Sequence, residues 1–117
     1  MVGYIYKIVN KYNDHFYIGS SLNIKKRQYT HFSKLKHNSH HCYHLQNAFN
    51  IYGADAFYFL IKKYDNLKDE KELRELEERY ISYCWNSGKL YNSSKVAGGG
   101  DNITTLPKEK YDELIKL

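Results

Sequence analysis

The chain opens on Gly3-Tyr4-Ile5-Tyr6-Lys7-Ile8-Val9, a run of β-branched and aromatic residues that stops at the turn-prone cluster Asn10 to Asp14. The same character resumes in His15-Phe16-Tyr17-Ile18-Gly19-Ser20, so the pattern predicts a hairpin. Asn23 then offers an N-cap. From Ile24 to Lys36 the spacing turns helical, with Ile24, Gln28, His31 and Leu35 on one face. After the polar stretch His37 to His41, a second helix is expected over Tyr43 to Tyr52, with Gly53 as its stop. Phe57-Tyr58-Phe59-Leu60-Ile61 reads as a third strand of the same sheet, and Asp69 to Trp85 as the strongest helix. Asp69, Glu70 and Glu72 sit in its first turn, where the helix dipole favours carboxylates. The order β-β-α-α-β-α predicts an α+β fold: a small three-stranded antiparallel sheet flanked by helices. Residues 1–96 are expected to form the folded domain. A glycine-rich, linker-like segment follows over 97–117, ending in a short helix from Pro107 to Leu117.

Against this pattern, one residue is out of place. On an ideal helical wheel of about 100° per residue, Leu73, Leu76, Tyr80, Ile81 and Cys84 form one apolar stripe, and Glu77 falls in its middle. Glu75 and Glu78 fall where solvated carboxylates belong. A carboxylate facing the sheet is costly unless it is paired or binds a metal. Glu77 is therefore a candidate ligand for a hard divalent cation, or else the partner of an arginine or of a wet edge. Arg27 and His31 are four apart and project together from the first helix. That sets a fork-shaped phosphate donor beside a group that exchanges protons near neutral pH. The spacing alone is also what an ordinary surface pair would have.

Composition narrows the field. The 117 residues suit one domain, and no apolar run nears the ~20 residues of a bilayer span. No signal-peptide pattern opens the chain, and Cys42 and Cys84 make neither a disulfide framework nor a CxxC pair. A reduced, intracellular protein is expected. Nine Lys/Arg against two acidic residues give residues 1–64 a net charge of +7, whereas residues 65–117 carry −2. All six histidines lie in the basic half, and there are 13 tyrosines in the chain. This fits contact with a polyanion, of which nucleic acid is the commonest, or a lysine-covered soluble surface. His37, His40, His41 and His44 invite a zinc reading, but a structural site wants two well-spaced ligand pairs and only one is present. The glycines at 98–100 lack the Lys-Ser/Thr of a phosphate-binding loop.

Taken together, Tyr4-Ile5-Tyr6, Tyr17-Ile18-Gly19, Arg27, His31, Glu77 and Asn92 resemble the GIY-YIG endonucleases. The likeness is to the catalytic domain of the phage-type intron-encoded homing enzymes in particular, and it spans residues 3–105. Leu45 to Asn50, Gly53 and Tyr91-Asn92 before a glycine-rich stretch are similar too. The first tripeptide departs from the family, with Tyr4 where glycine is usual.

The resemblance implies a metal-dependent DNA endonuclease. Glu77 would hold one Mg²⁺ or Mn²⁺, and Arg27 would clamp the scissile phosphate. Tyr6 would act as general base with Tyr17 in support, and Asn92 would hold a hydroxyl or its loop in place. A free phenol with pKa ~10 is only about 0.1% ionised at pH 7, so Tyr6 needs a nearby cation. On intrinsic pKa His31 competes for the same role. Lys25, Lys26 and His40 are expected to contact the DNA backbone. A monomer with one such site would cut one strand per encounter and read little sequence, with dimerisation on DNA as a route to double-strand cleavage. The competing reading is a module that stacks single strands on a basic aromatic sheet without cutting.

Overall fold

The structure, a computed structural model, describes residues 1–93. The expected linker-like segment 97–117 lies outside the described residues. Strand β1 (Gly3–Asn10) runs through the middle of a three-stranded antiparallel sheet, between β2 (Phe16–Ser21) and β3 (Phe57–Tyr64). Helices α1 (Ile24–Lys36) and α2 (Tyr43–Tyr52) cover one face, and α3 (Glu70–Cys84) covers the other. This is the α+β arrangement that the order of elements predicts.

Burial on both faces explains why β1 reads as a continuous apolar run rather than an alternation. Ile5 and Val9 pack with Leu73, Leu76 and Tyr80 of α3. Tyr6 and Ile8 point the other way, into a second cluster with Leu35, Leu45 and Ala48. Lys7 is the exception on the α3 side. It is buried, its ammonium lies 4.4 Å from the centroid of Phe16, and desolvation lowers its pKa.

The local signals act as expected at most ends. Asn23 accepts the N–H of Lys26 at 3.1 Å and caps α1. Gly53, with φ of 87°, ends α2 in a conformation that L side chains rarely adopt. Two boundaries differ. Asp69 caps α3 by accepting the N–H of Glu72 at 2.9 Å rather than lying inside it, and the helix closes at Cys84. Strand β3 continues three residues beyond the apolar run to Tyr64, because its backbone goes on pairing with Tyr4 and Gly3. Tyr4 takes an ordinary strand position between Ser21 and Lys63. Among the described residues no helix is long and apolar enough to cross a membrane, and both cysteines are free thiols.

Candidate active site

Strand register brings the two tyrosine motifs together. Tyr6 stands opposite Gly19, and its ring lies over that glycine, where any Cβ would overlap it. Tyr17, two residues before Gly19, shares the face that α1 covers. From α1, His31 points inward, with Nε2 2.6 Å from Tyr6 Oη. One turn earlier Arg27 is exposed at the start of the helix, and its charge acts on Tyr6 from there. Tyr17 Oη lies 3.3 Å from Nε2 of His41.

Glu77 arrives from the opposite face. Strand alternation turns Ser20 toward α3, and its hydroxyl donates a short hydrogen bond to Oε1 of Glu77. No Lys or Arg lies within ion-pair reach of that carboxylate among the described residues. Glu70, which lines the same cavity, is held instead by Arg74 at 3.6 Å. A cavity of about 280 Å³ is lined by Ser20, Ser21, Arg27, Arg74 and Glu77. A smaller one of about 150 Å³ is lined by Tyr17, His41, Glu77 and Asn92. Glu77 borders both, so the cleft wraps the outer edge of β2 and joins the two faces of the sheet.

Asn92 closes that edge. Phe16 donates its N–H to Lys89 O at 2.8 Å, and Tyr91 donates to Phe16 O at 2.7 Å. The carboxamide of Asn92 then accepts from Ile18 N at 2.8 Å and donates to Ile18 O at 2.9 Å. It stands in for one more residue of a neighbouring strand. Among the described residues its side-chain hydrogen bonds both go to the backbone of Ile18.

The expected surface role of His40 is corrected. Its side chain is buried at 7% exposure, with Nε2 2.6 Å from His31 Nδ1 and Nδ1 accepting from Cys42 N at 2.9 Å. With both ring nitrogens engaged inside the protein, none is left for a phosphate. Lys25 and Lys26 are exposed beside Arg27. The zinc reading finds no support, since no group of three or more His, Cys, Asp or Glu is placed to hold a metal among the described residues.

Burial dominates the electrostatics. Desolvation, and then the neighbouring Tyr17, push the Tyr6 phenol well above its ordinary value, while Arg27 works in the opposite direction. Tyr17 is raised as well, by burial and by the negative charge of Glu77. Burial lowers His31 to about 3 and His40 to about 4, so both rings are neutral at physiological pH. The Glu77 carboxyl is raised by desolvation, with Ser20 and the more distant Arg27 partly offsetting it.

Sequence reasoning missed Ser20, Gln46 and the inward turn of His40. A signal existed for Ser20. Alternation from Tyr17 and Gly19 assigns it to the face that the Glu77 helix covers.

Comparison with known proteins agrees with this geometry. The model of the GIY-YIG catalytic domain matches residues 2–92. A curated relative, "Probable intron-encoded endonuclease 1" of Neurospora crassa, is 35% identical over 99 residues, covering 81% of this chain and 31% of the relative. The chain thus spans about a third of that protein's length. A solved point mutant of the catalytic domain of the intron endonuclease I-TevI superimposes with a TM-score of 0.71 at 27% identity, covering 83% of this chain and 98% of the other. A second structure, of the catalytic domain of the homing endonuclease I-TevI, gives 0.67 at 28% identity, covering 77% and 96%. With the two tyrosine strands, the arginine-bearing helix and the family's model agreeing over residues 2–92, the chain belongs to the GIY-YIG catalytic-domain family.

Proposed function

We propose that this chain is the catalytic domain of a DNA endonuclease that hydrolyses phosphodiester bonds with one divalent cation, Mg²⁺ or Mn²⁺, one strand per site. The observation that carries this reading is Glu77, a desolvated carboxylate without an ion-pair partner among the described residues, bordering the cleft that Arg27 and Tyr17 also line. The donor set fits a hard cation that keeps most of its waters, because one carboxylate is available and phosphate oxygens would complete the shell. Held by Glu77, such a cation would neutralise charge on the scissile phosphate.

This chain's own residues supply the rest. Arg27 is exposed and fork-shaped, suited to clamp two phosphate oxygens as negative charge builds. With Tyr6 as its phenolate, water forms the new bond to phosphorus as its proton passes to Tyr6 Oη, the bond to the leaving oxygen breaks, and that oxygen takes a proton from solvent. Tyr17 lines the cleft beside Glu77 in support, and Asn92 keeps the β2 edge in register. Lys25 and Lys26 extend the positive surface along α1 and would bind DNA without reading sequence. The protein would act inside the cell, where its DNA substrate is. As a monomer it would nick before it linearises, with double-strand cuts needing a second encounter or a dimer on DNA.

Supercoiled plasmid incubated at low salt with Mg²⁺, Mn²⁺ or EDTA tests the reading. Nicked circles that need metal, precede linear product and are lost in Glu77→Gln are expected. If wild type binds the plasmid yet cuts it under neither metal, the non-catalytic binding module is the correct reading.

A further inference from the structure

Three hydrogen bonds in series connect a backbone amide to the reactive tyrosine. The N–H of Cys42 donates to Nδ1 of His40 at 2.9 Å, Nε2 of His40 lies 2.6 Å from Nδ1 of His31, and Nε2 of His31 lies 2.6 Å from Oη of Tyr6. An amide N–H can only donate, so Nδ1 of His40 must present its lone pair. The single proton of a neutral imidazole then sits on Nε2 of His40, which therefore donates to Nδ1 of His31. That nitrogen being the acceptor, the proton of His31 sits on Nε2 and is donated to Tyr6. The orientation of the chain is anchored at its origin. The N–H of His40 donates to Oε1 of Gln46 at 3.0 Å, and Nε2 of Gln46 donates to the carbonyl of Leu35 at 3.0 Å. A carbonyl can only accept, so the Gln46 amide cannot be reversed. A protonated His31 would need His40 to accept at both ring nitrogens, which a neutral imidazole cannot do. The burial of both rings holds them neutral in the same sense.

We infer that the backbone amide of Cys42, acting through His40, locks His31 in the Nε2–H tautomer as a hydrogen-bond donor to Tyr6. His40 is thus a positioning residue, and His31 has no free lone pair facing the cleft. A phenol oxygen has two lone pairs and one proton, so with one pair taken by His31 the other stays free to accept a hydrogen bond. Loss of the phenol proton leaves the His31 N–H aimed at the phenolate, which partly offsets the burial that favours the neutral form. The Arg27 charge works in the same sense on the Tyr6 phenol, against the larger effect of burial. A His31 that already donates through Nε2 is not placed to act as the base. The consequence for cleavage rests on the endonuclease reading above, whereas the tautomers do not.

Long-range ¹H–¹⁵N correlation of the histidine rings, on the full chain at pH 7.5 without DNA or metal, reads the tautomers directly. Both His31 and His40 are expected to show a protonated Nε2 and a bare Nδ1. A protonated Nδ1 on His31 overturns the inference. In His40→Phe, which removes the donor, His31 is expected to lose its single tautomer, and plasmid nicking to fall by about a hundredfold with DNA binding in EDTA unchanged. In His40→Gln, which offers an amide donor in the same place, the Nε2–H tautomer and part of the nicking should return. An unchanged His31 tautomer in His40→Phe overturns the role of His40. Expected tautomers in a wild-type protein that nicks nothing leave the lock standing and remove the endonuclease reading instead.

Discussion

The ring of Tyr6 rests on the bare backbone of Gly19. A Cβ at position 19 would stand 2.9 Å from Cε2 of that ring and closer still to Cζ and Oη. Because the contact is at the reactive end of the phenol, Gly19→Ala is expected to swing Tyr6 out of its 2.6 Å bond with His31. Overpacking of this kind costs roughly 1–3 kcal/mol, so the thermal midpoint should drop while the far-UV spectrum stays native. Nicking should fall by about a hundredfold, more than the lost stability explains. Normal nicking in a folded Gly19→Ala protein would show that the ring position is not critical.

Arg27 separates chemistry from folding. It is exposed, so Arg27→Ala should change stability by no more than about 0.5 kcal/mol. Its expected cost to nicking is about 10²–10³-fold, the usual loss when one donor to developing charge is removed. Arg27→Lys keeps the charge but not the planar fork, and should recover little of that loss. Initial rates at saturating metal, alongside a urea melt of each variant, provide the check. Full activity in Arg27→Lys would mean that point charge alone is enough.

How far these residues could be seen in the sequence depends on where their partners lie. Glu77 stood out because a helical wheel needs only its own neighbours, and Arg27 with His31 because four residues make one turn. Tyr6 was named by the family resemblance of its tripeptide, since in a strand buried on both faces the pattern does not single it out. What stayed hidden needed the register between distant segments. Ser20 meets Glu77 across 57 positions, and Asn92 meets Ile18 across 74. His40 looked like one of a run of surface histidines, since the turn that sends it inward is set by Gln46 and the carbonyl of Leu35. Nothing in the sequence marked Lys7 as buried, and it is, because β1 has no solvent face.

Asn92 offers a test of the edge itself. Its carboxamide makes two hydrogen bonds with the backbone of Ile18, and neither has a substitute in the described residues. Asn92→Ala leaves both backbone groups unpaired beside a cleft that admits water, for a cost of about 1–3 kcal/mol. Asn92→Asp keeps the acceptor for Ile18 N–H but turns the donor into a second acceptor facing Ile18 O. It should be no more stable than the alanine variant. Urea midpoints rank the two. If Asn92→Asp equals wild type, the Nδ2 bond contributes nothing.

Glu77 has the opposite balance. Desolvation raises its carboxyl pKa, so the ionised form is a burden on the fold at pH 8. Glu77→Gln removes the charge and can still accept from Ser20, and its thermal midpoint at pH 8 should equal or exceed that of wild type while nicking is lost. Mg²⁺ or Mn²⁺ should raise the midpoint of wild type and leave that of Glu77→Gln unmoved. An equal rise in both proteins would locate the cation elsewhere.

Acid should strike the histidine pair first. Folding lowers His31 to about 3 and His40 to about 4, from an unfolded value near 6.5. Above pH ~6.5 neither state binds these protons, and the contribution of the pair is whole. Below it the unfolded chain takes up protons that the fold refuses. Stability then falls by about 1.4 kcal/mol per pH unit for each histidine, until the folded values are reached. Glu77 acts in the other sense, since its raised pKa adds stability as the pH drops through it. Subtraction is therefore needed. Urea unfolding of wild type and His40→Phe between pH 7.5 and 4.5 should give a difference that narrows as the pH falls, because the variant lacks one of the two proton sinks. Parallel curves over that range would mean that His40 titrates alike in the folded and unfolded chain, and that its burial does not hold it neutral.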